Sequence, residues 1–102
     1  MLIFHIVLPE VWKAFDTELY RHASLETEGF IHCSFAEQLE AVIGRYYSGV
    51  ARVVVLEIET EKLMSRTLKE PSTNNEIYPH IYGPINRDAI VRTYEKKIET
   101  TD

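Results

Sequence analysis

The sequence predicts a single small domain of the α+β class. Three observations carry this: segments with strand character outnumber helical ones, no internal repeat is visible, and strand–helix alternation stops after the second of two main helices. At 102 residues the chain can hold one core, burying roughly 60 to 70% of its unfolded surface, with no room for a second. Residues 1–102 are therefore read as one domain, with 99–102 ("ETTD") as a frayed tail.

The opening "LIFHIV" is apolar on both alternating rows, Leu2, Phe4 and Ile6 on one and Ile3, His5 and Val7 on the other, as in a strand covered on both faces. Pro9 suits a first helical turn, and Leu8, Val11, Trp12, Phe15 and Leu19 recur at helical spacing, so a helix is expected through about Leu19. Residues 20–29 read as a connector. "FIHC" is a short strand. Ser34 and Glu37 in "SFAE" have capping-box spacing, and Phe35, Leu39, Val42 and Tyr46 continue as an apolar stripe that Gly49 ends.

"RVVVLEIE" has a β-branched centre that suits a central strand. Residues 60–64 suggest a helical turn, "RTLKEP" an edge strand closed by Pro71, and "STNN" a loop. "EIYPHIYGPI" reads as a strand feeding a turn at Gly83 and Pro84, and residues 89–98 as a last strand.

Composition narrows the function classes. The apolar fraction of 45% and charged fraction of 26% are those of a globular protein. A net charge of −5 repels nucleic acid and anionic membrane, so partners held by general basicity are not expected. No apolar stretch approaches the roughly 20 residues of a membrane span, and "MLIFHIVLPE" lacks a basic n-region and a small-residue cleavage site. A cytoplasmic protein is expected, and the single cysteine, Cys33, fits a reducing compartment.

The candidate chemistry lies with the histidines. In "GFIHCS", His32 and Ser34 share one face of the strand, while Cys33 shares the other with Ile31 and is expected in the core. His32 lies just before the expected helix start, whose free N–H groups favour an anion. His5 sits in a row with Ile3 and Val7, and His80 is flanked by Tyr78 and Tyr82. Three of four histidines thus fall in strand segments, which one shared cleft would explain; His22 is expected at the surface or in the connector. No histidine pair has helical zinc-motif spacing, so no metal is expected. No Gly-x-Ser-x-Gly elbow or phosphate-binding glycine loop can be written.

"FHIV", "SLETEGFIHCS" and "YPHIYGPI" together resemble the bacterial family called domain of unknown function 952, over nearly the whole chain. That family is similar in fold to ADP-ribosyltransferases, which implies a split antiparallel or mixed sheet and a cleft that holds NAD in the active enzymes. The resemblance implies His5 on the ribose and His32 at a strand-to-helix position beside the nicotinamide. "FIHCS" also resembles a stretch of RNA 2′-phosphotransferases, which implies phosphate at His32. The late glutamate of the transferases has no counterpart in an equivalent strand; Glu76 precedes the strand, and His80 is the other occupant. For phosphate-gripping arginines the sequence offers only Arg21, Arg66 and Arg87.

The expected function is therefore a cleft binding a nucleotide or phosphorylated small molecule, an anionic ligand, with NAD as the implied cofactor. In this reading His32 and His80 are catalytic, and His5, Ser34, Tyr78 and Tyr82 bind ligand. The alternative is a non-catalytic ligand-binding or interaction module, with structural histidines and "YPHIYGP" as an exposed aromatic patch.

Overall fold

A computed structural model describes residues 1–98; the tail expected at 99–102 lies outside the described residues. In chain order the elements are β1 (Leu2–Val7), α1 (Pro9–Ala14), β2 (Leu19–Tyr20), α2 (Ser24–Thr27), β3 (Ile31–His32), α3 (Leu39–Tyr46), β4 (Arg52–Glu59), β5 (Arg66–Pro71), β6 (Ile77–Tyr82), β7 (Ile85–Asn86) and β8 (Ile90–Lys97). Short 3-10 turns occupy Ala36–Gln38, Thr60–Lys62, Thr73–Asn75 and Arg87–Ala89. The class is α+β, and the sheet is split.

One sheet has the order β1-β4-β8 and another β3-β6-β5, with β2 and β7 as a separate pair. Among the described residues every strand pairing is antiparallel, so the mixed alternative falls away. The β-branched run of β4 is central, as expected, and β5 is an edge. Phe4 and Ser34 stitch the two larger sheets together by reciprocal backbone bonds, Phe4 N–H to Ser34 O at 2.9 Å and Ser34 N–H to Phe4 O at 2.7 Å.

Alternation in β1 and β4 produces two cores, one on each face of their sheet. Ile3, Val7, Val54, Leu56 and Ile58 pack with Tyr20, Ile31, Cys33, Ile81 and Ile85 from the other strands. On the reverse face, Phe4, Ile6, Val53 and Val55 pack against Ile43 of α3, with Leu39 and Val42 at its margin. Cys33 is buried on the Ile31 side, as its place in the strand predicts. Among the described residues no helix is long and apolar enough to cross a membrane.

Three local expectations need correction. The first helix stops at Ala14 and not near Leu19, because Phe15 leaves helical geometry to meet Trp12 and Tyr20, with ring centroids at 5.9 and 5.0 Å. Arg87 then holds the unwound chain by donating to the Thr17 and Phe15 carbonyls. The supposed connector from 20 to 29 contains Tyr20, which pairs with Ile85 and is among the most buried side chains, and the short α2. Finally, Ser34 and Glu37 form no capping box: the Phe35 N–H is taken by the Gln38 side chain at 2.9 Å, and the Gln38 amide donates to Ile77 O at 2.8 Å. Ser34 is committed instead to the strand bridge with Phe4.

Candidate functional site

A cleft of about 540 Å³ opens where the two sheets are stitched. One wall comes from β1 and β3 with the residues after it, through Phe4, His5, His32, Cys33 and Ser34. His22 and Glu28 border it before β3, and Val42, Tyr46 and Tyr47 come from the end of α3. Ser72, Thr73 and Tyr78 complete it, with Tyr46 Oη bonded to Thr73 Oγ1 at 2.7 Å.

His5 is buried, with both ring nitrogens engaged. Nδ1 faces the His32 carbonyl at 2.8 Å and must donate, because a carbonyl only accepts. Nε2 then accepts from the Tyr20 hydroxyl at 3.0 Å. Burial drives the His5 pKa down to about 3 and pushes the Tyr20 phenol up, so this pair is neutral. The ring borders the cleft, but neither nitrogen is free for a ligand.

The donor at that place is His22, a residue expected at the surface or in the connector and lying between β2 and α2. Its Nδ1 accepts the Ser24 N–H at 3.1 Å, which puts the proton of the neutral ring on Nε2. Partial burial lowers its pKa, with a smaller contribution from nearby His32. Among the described residues Nε2 has no hydrogen-bond partner, and the ring meets His5 edge-on at 5.1 Å. Sequence spacing held one usable signal: a histidine two residues before a serine that starts a helical turn can serve as acceptor for that turn.

His32 is exposed at the cleft and bonds Glu28 Oε2 through Nε2 at 2.7 Å. The anion cradle expected beside it is not formed, because the 3-10 turn begins at Ala36 and α3 only at Leu39. Its charged neighbour is a carboxylate. Ser34 lines the cleft with no side-chain hydrogen bond among the described residues.

Tyr78 reaches the cleft from β6. Its hydroxyl donates to Glu76 Oε1 at 2.9 Å and accepts from Arg45 at 3.3 Å. Arg45 thus contacts a residue of the cleft wall, and of the three arginines noted in the sequence Arg87 is instead spent on backbone carbonyls and on the rings of Trp12 and Phe15. His80 and Tyr82 do not line the cleft. His80 is buried, its Nδ1 donating to Glu70 Oε1 at 2.9 Å, and the Tyr82 hydroxyl donates to the same oxygen at 2.6 Å. Those hydrogen bonds, Tyr82's first, hold the Glu70 carboxyl below the usual carboxylate range. Nor is "YPHIYGP" an exposed patch: Tyr78, Pro79, His80 and Ile81 are buried, and in β6 only its end residues, Ile77 and Tyr82, are exposed.

Among the described residues no three His, Cys, Asp or Glu side chains are grouped to hold a metal ion. The cleft can offer neutral donors at His22 and Ser34, a titratable imidazole paired with a carboxylate at its mouth, and three tyrosine rings.

A family model described as protein of unknown function (DUF952) matches residues 6–93, a span that includes both "GFIHCS" and "YPHIYGPI". The chain belongs to this family. This DUF952 chain is also similar to the crystal structure of protein CC0527 from Caulobacter crescentus, at 27% identity and a TM-score of 0.86, covering 97% of this chain and 89% of that one. A double mutant of CC0527 gives 26% identity and a TM-score of 0.85 over the same shares of the two chains. The solution structure of CC0527 gives 27% and 0.81, covering 96% and 86%. No curated protein matches the chain.

Proposed function

We propose that the cleft binds a small phosphorylated, ribose-bearing molecule, of which a nucleotide is the best-fitting class. The observation that carries this reading is the convergence of His5, His22 and His32, from three separate stretches, on one cleft whose volume of about 540 Å³ lies in the usual range for small-molecule sites. His22 Nε2–H and the Ser34 hydroxyl serve as neutral donors to phosphate or sugar oxygens. His32 adds a charge-assisted bond when protonated, and Arg45 supplies a fixed cation behind Tyr78. Tyr46 and Tyr47 offer ring faces to a planar base.

NAD belongs to this class, and the resemblance to ADP-ribosyltransferases read from the sequence would extend the reading to cleavage of the nicotinamide–ribose bond. In that extension His32 acts as general acid or phosphate ligand, and His80 acts on the reacting hydroxyl.

The test is a thermal-shift panel of NAD, ADP-ribose, nucleotides and phosphosugars on the parent and on His32→Ala and His22→Phe. A ligand at 100 times its dissociation constant adds about 2.7 kcal/mol, or roughly 10 °C for a domain of this size. At least one anionic, ribose-bearing compound is expected to stabilise the parent and to lose most of that effect in both variants. Flat curves throughout the panel would remove the nucleotide reading.

A further inference from the structure

Several polar side chains of the cleft wall are satisfied within the protein: Tyr46 and Thr73 bond each other at 2.7 Å, and the Tyr78 hydroxyl is held between Glu76 and Arg45. Others are not. Among the described residues, His22 Nε2 and the hydroxyls of Ser34, Tyr47 and Ser72 line the same cleft and have no hydrogen-bond partner in the protein. None of them is sealed from solvent, because His80 Nε2 is the one side-chain polar atom that is both buried and unpartnered. They are the groups that a bound molecule meets.

The fold holds each of them in place. Tyr47 follows α3, packs its ring at the margin of the second core and keeps its phenol protonated through burial, yet its hydroxyl lacks the partner that a buried tyrosine ordinarily finds. Ser72 lies in the turn between β5 and β6, where its N–H donates to the Glu76 carbonyl and its own carbonyl accepts from the Asn75 N–H, each at 2.9 Å. Ser34 is fixed by the bridge to Phe4, and His22 by the Ser24 N–H. The charge of the wall then decides what these groups can hold. Glu28 carries its one fixed charge, and neither lysine nor arginine is among the residues that line it. A phosphate dianion taken inside would lose water, gain no cation and face a carboxylate. It also only accepts hydrogen bonds, whereas a sugar hydroxyl both donates and accepts, as do the hydroxyls of Ser34, Tyr47 and Ser72.

We infer that the ribose is the part of the nucleotide that enters the cleft, with its ring hydroxyls bonded to Tyr47 Oη and Ser72 Oγ beside Ser34 and His22, and that the phosphates stay at the mouth by exposed His32. The inference rests on the cleft's being a nucleotide site. It adds the Tyr47 hydroxyl and Ser72 to the ligand residues and makes them the ones that read the sugar. Affinity then comes from the uncharged nucleoside part, and the phosphates contribute little.

Calorimetric titration with the nucleoside, its 5′-monophosphate and 5′-diphosphate, and the 2′,3′-dideoxynucleoside, in the adenine and the uracil series, tests this orientation. In the series that binds, the phosphorylated forms are expected within about threefold of the nucleoside, and the dideoxynucleoside at least about tenfold weaker. Tyr47→Phe and Ser72→Ala should each weaken the nucleoside about three- to tenfold and leave the dideoxynucleoside unchanged, a difference that a loss of folding would not produce. Affinity that climbs about tenfold or more from nucleoside to diphosphate overturns the orientation and leaves the nucleotide reading standing. Equal losses for nucleoside and dideoxynucleoside in the two variants do the same. Nucleoside binding that depends on Tyr47 and Ser72, with no binding of the phosphorylated forms, upholds the sugar site and removes phosphate from the proposed function. Binding of no compound in either series overturns both readings.

Discussion

His5 donates its Nδ1 proton to the backbone carbonyl of His32 at 2.8 Å, joining two segments 27 residues apart. The contact fixes the tautomer, and with it the direction of the Tyr20 bond to Nε2. A protonated ring would have to abandon the Tyr20 hydroxyl as donor. The histidine therefore works as a neutral bolt between β1 and β3, next to the cleft.

Stability should consequently fall in mild acid. The folded pKa of His5 lies at about 3 and the unfolded one near 6.5, so between those values the unfolded chain binds more protons. The stability present above pH 6.5 is lost as pH drops through that window, at up to about 1.4 kcal/mol per pH unit, and the lowered pKa of His22 acts in the same direction. Guanidinium unfolding across this pH range measures the slope. His5→Phe should flatten it while costing about 2–4 kcal/mol at neutral pH, because the Tyr20 hydroxyl and the His32 carbonyl lose their partner. An equal slope in parent and variant would assign the acid sensitivity to other groups.

The turn after Ser34 makes a second prediction. Gln38→Ala leaves the Phe35 N–H and the Ile77 carbonyl without their side-chain partner and should cost about 1–2 kcal/mol. Ser34→Ala removes a hydroxyl with no partner among the described residues and should stay within about 0.5 kcal/mol. Denaturation midpoints of the two variants give the ranking, and the opposite order would restore Ser34 as the cap.

This pair of residues also shows what the sequence made legible. Period-two patterns in β1 and β4 and the β-branched centre of β4 are local signals, and the elements they predict are present, with β4 central. The capping pattern misled because two competing acceptors lay one residue apart. Glu37 has the right spacing from Ser34, but Ser34 is drawn into the bridge with Phe4, a contact set by tertiary pairing, and Gln38 takes over the cap. The helix read to Leu19 failed for a similar reason, since Tyr20 gains more by pairing with β7 inside the core than by extending α1. At the cleft, the shared face of His32 and Ser34 was readable from strand alternation. The role of His22 and the carboxylate on His80 were not, because Glu70 reaches His80 only through the pairing of β5 with β6.

Gly83 tests the turn that delivers β6 to β7. Its φ is +151°, and a Cβ there would stand 2.5 Å from Ser65 Oγ, which itself donates to the Pro84 carbonyl at 2.6 Å. Gly83→Ala therefore combines backbone strain with a clash and should destabilise by about 1–3 kcal/mol. Adding Ser65→Ala removes the nearest atom and should recover part, but not all, of that loss in a double-mutant cycle. Full recovery would mean that the steric contact alone requires glycine.

Cys33 gives the sharpest check on how the cleft wall is built. The thiol shares the inner face with Ile31, is almost fully buried, and has its pKa pushed up by burial alone. A thiolate is the reactive form, so both access and ionisation oppose reaction. Iodoacetamide should label Cys33 in the native protein at least about 100-fold more slowly than in denaturant, with a rate that follows unfolding. Cys33→Ala should in turn leave nucleotide-induced thermal shifts intact while lowering the baseline stability. Rapid native labelling would mean that the wall between His32 and Ser34 opens on its inner side, and the division into a sealed core face and an open cleft face would no longer hold.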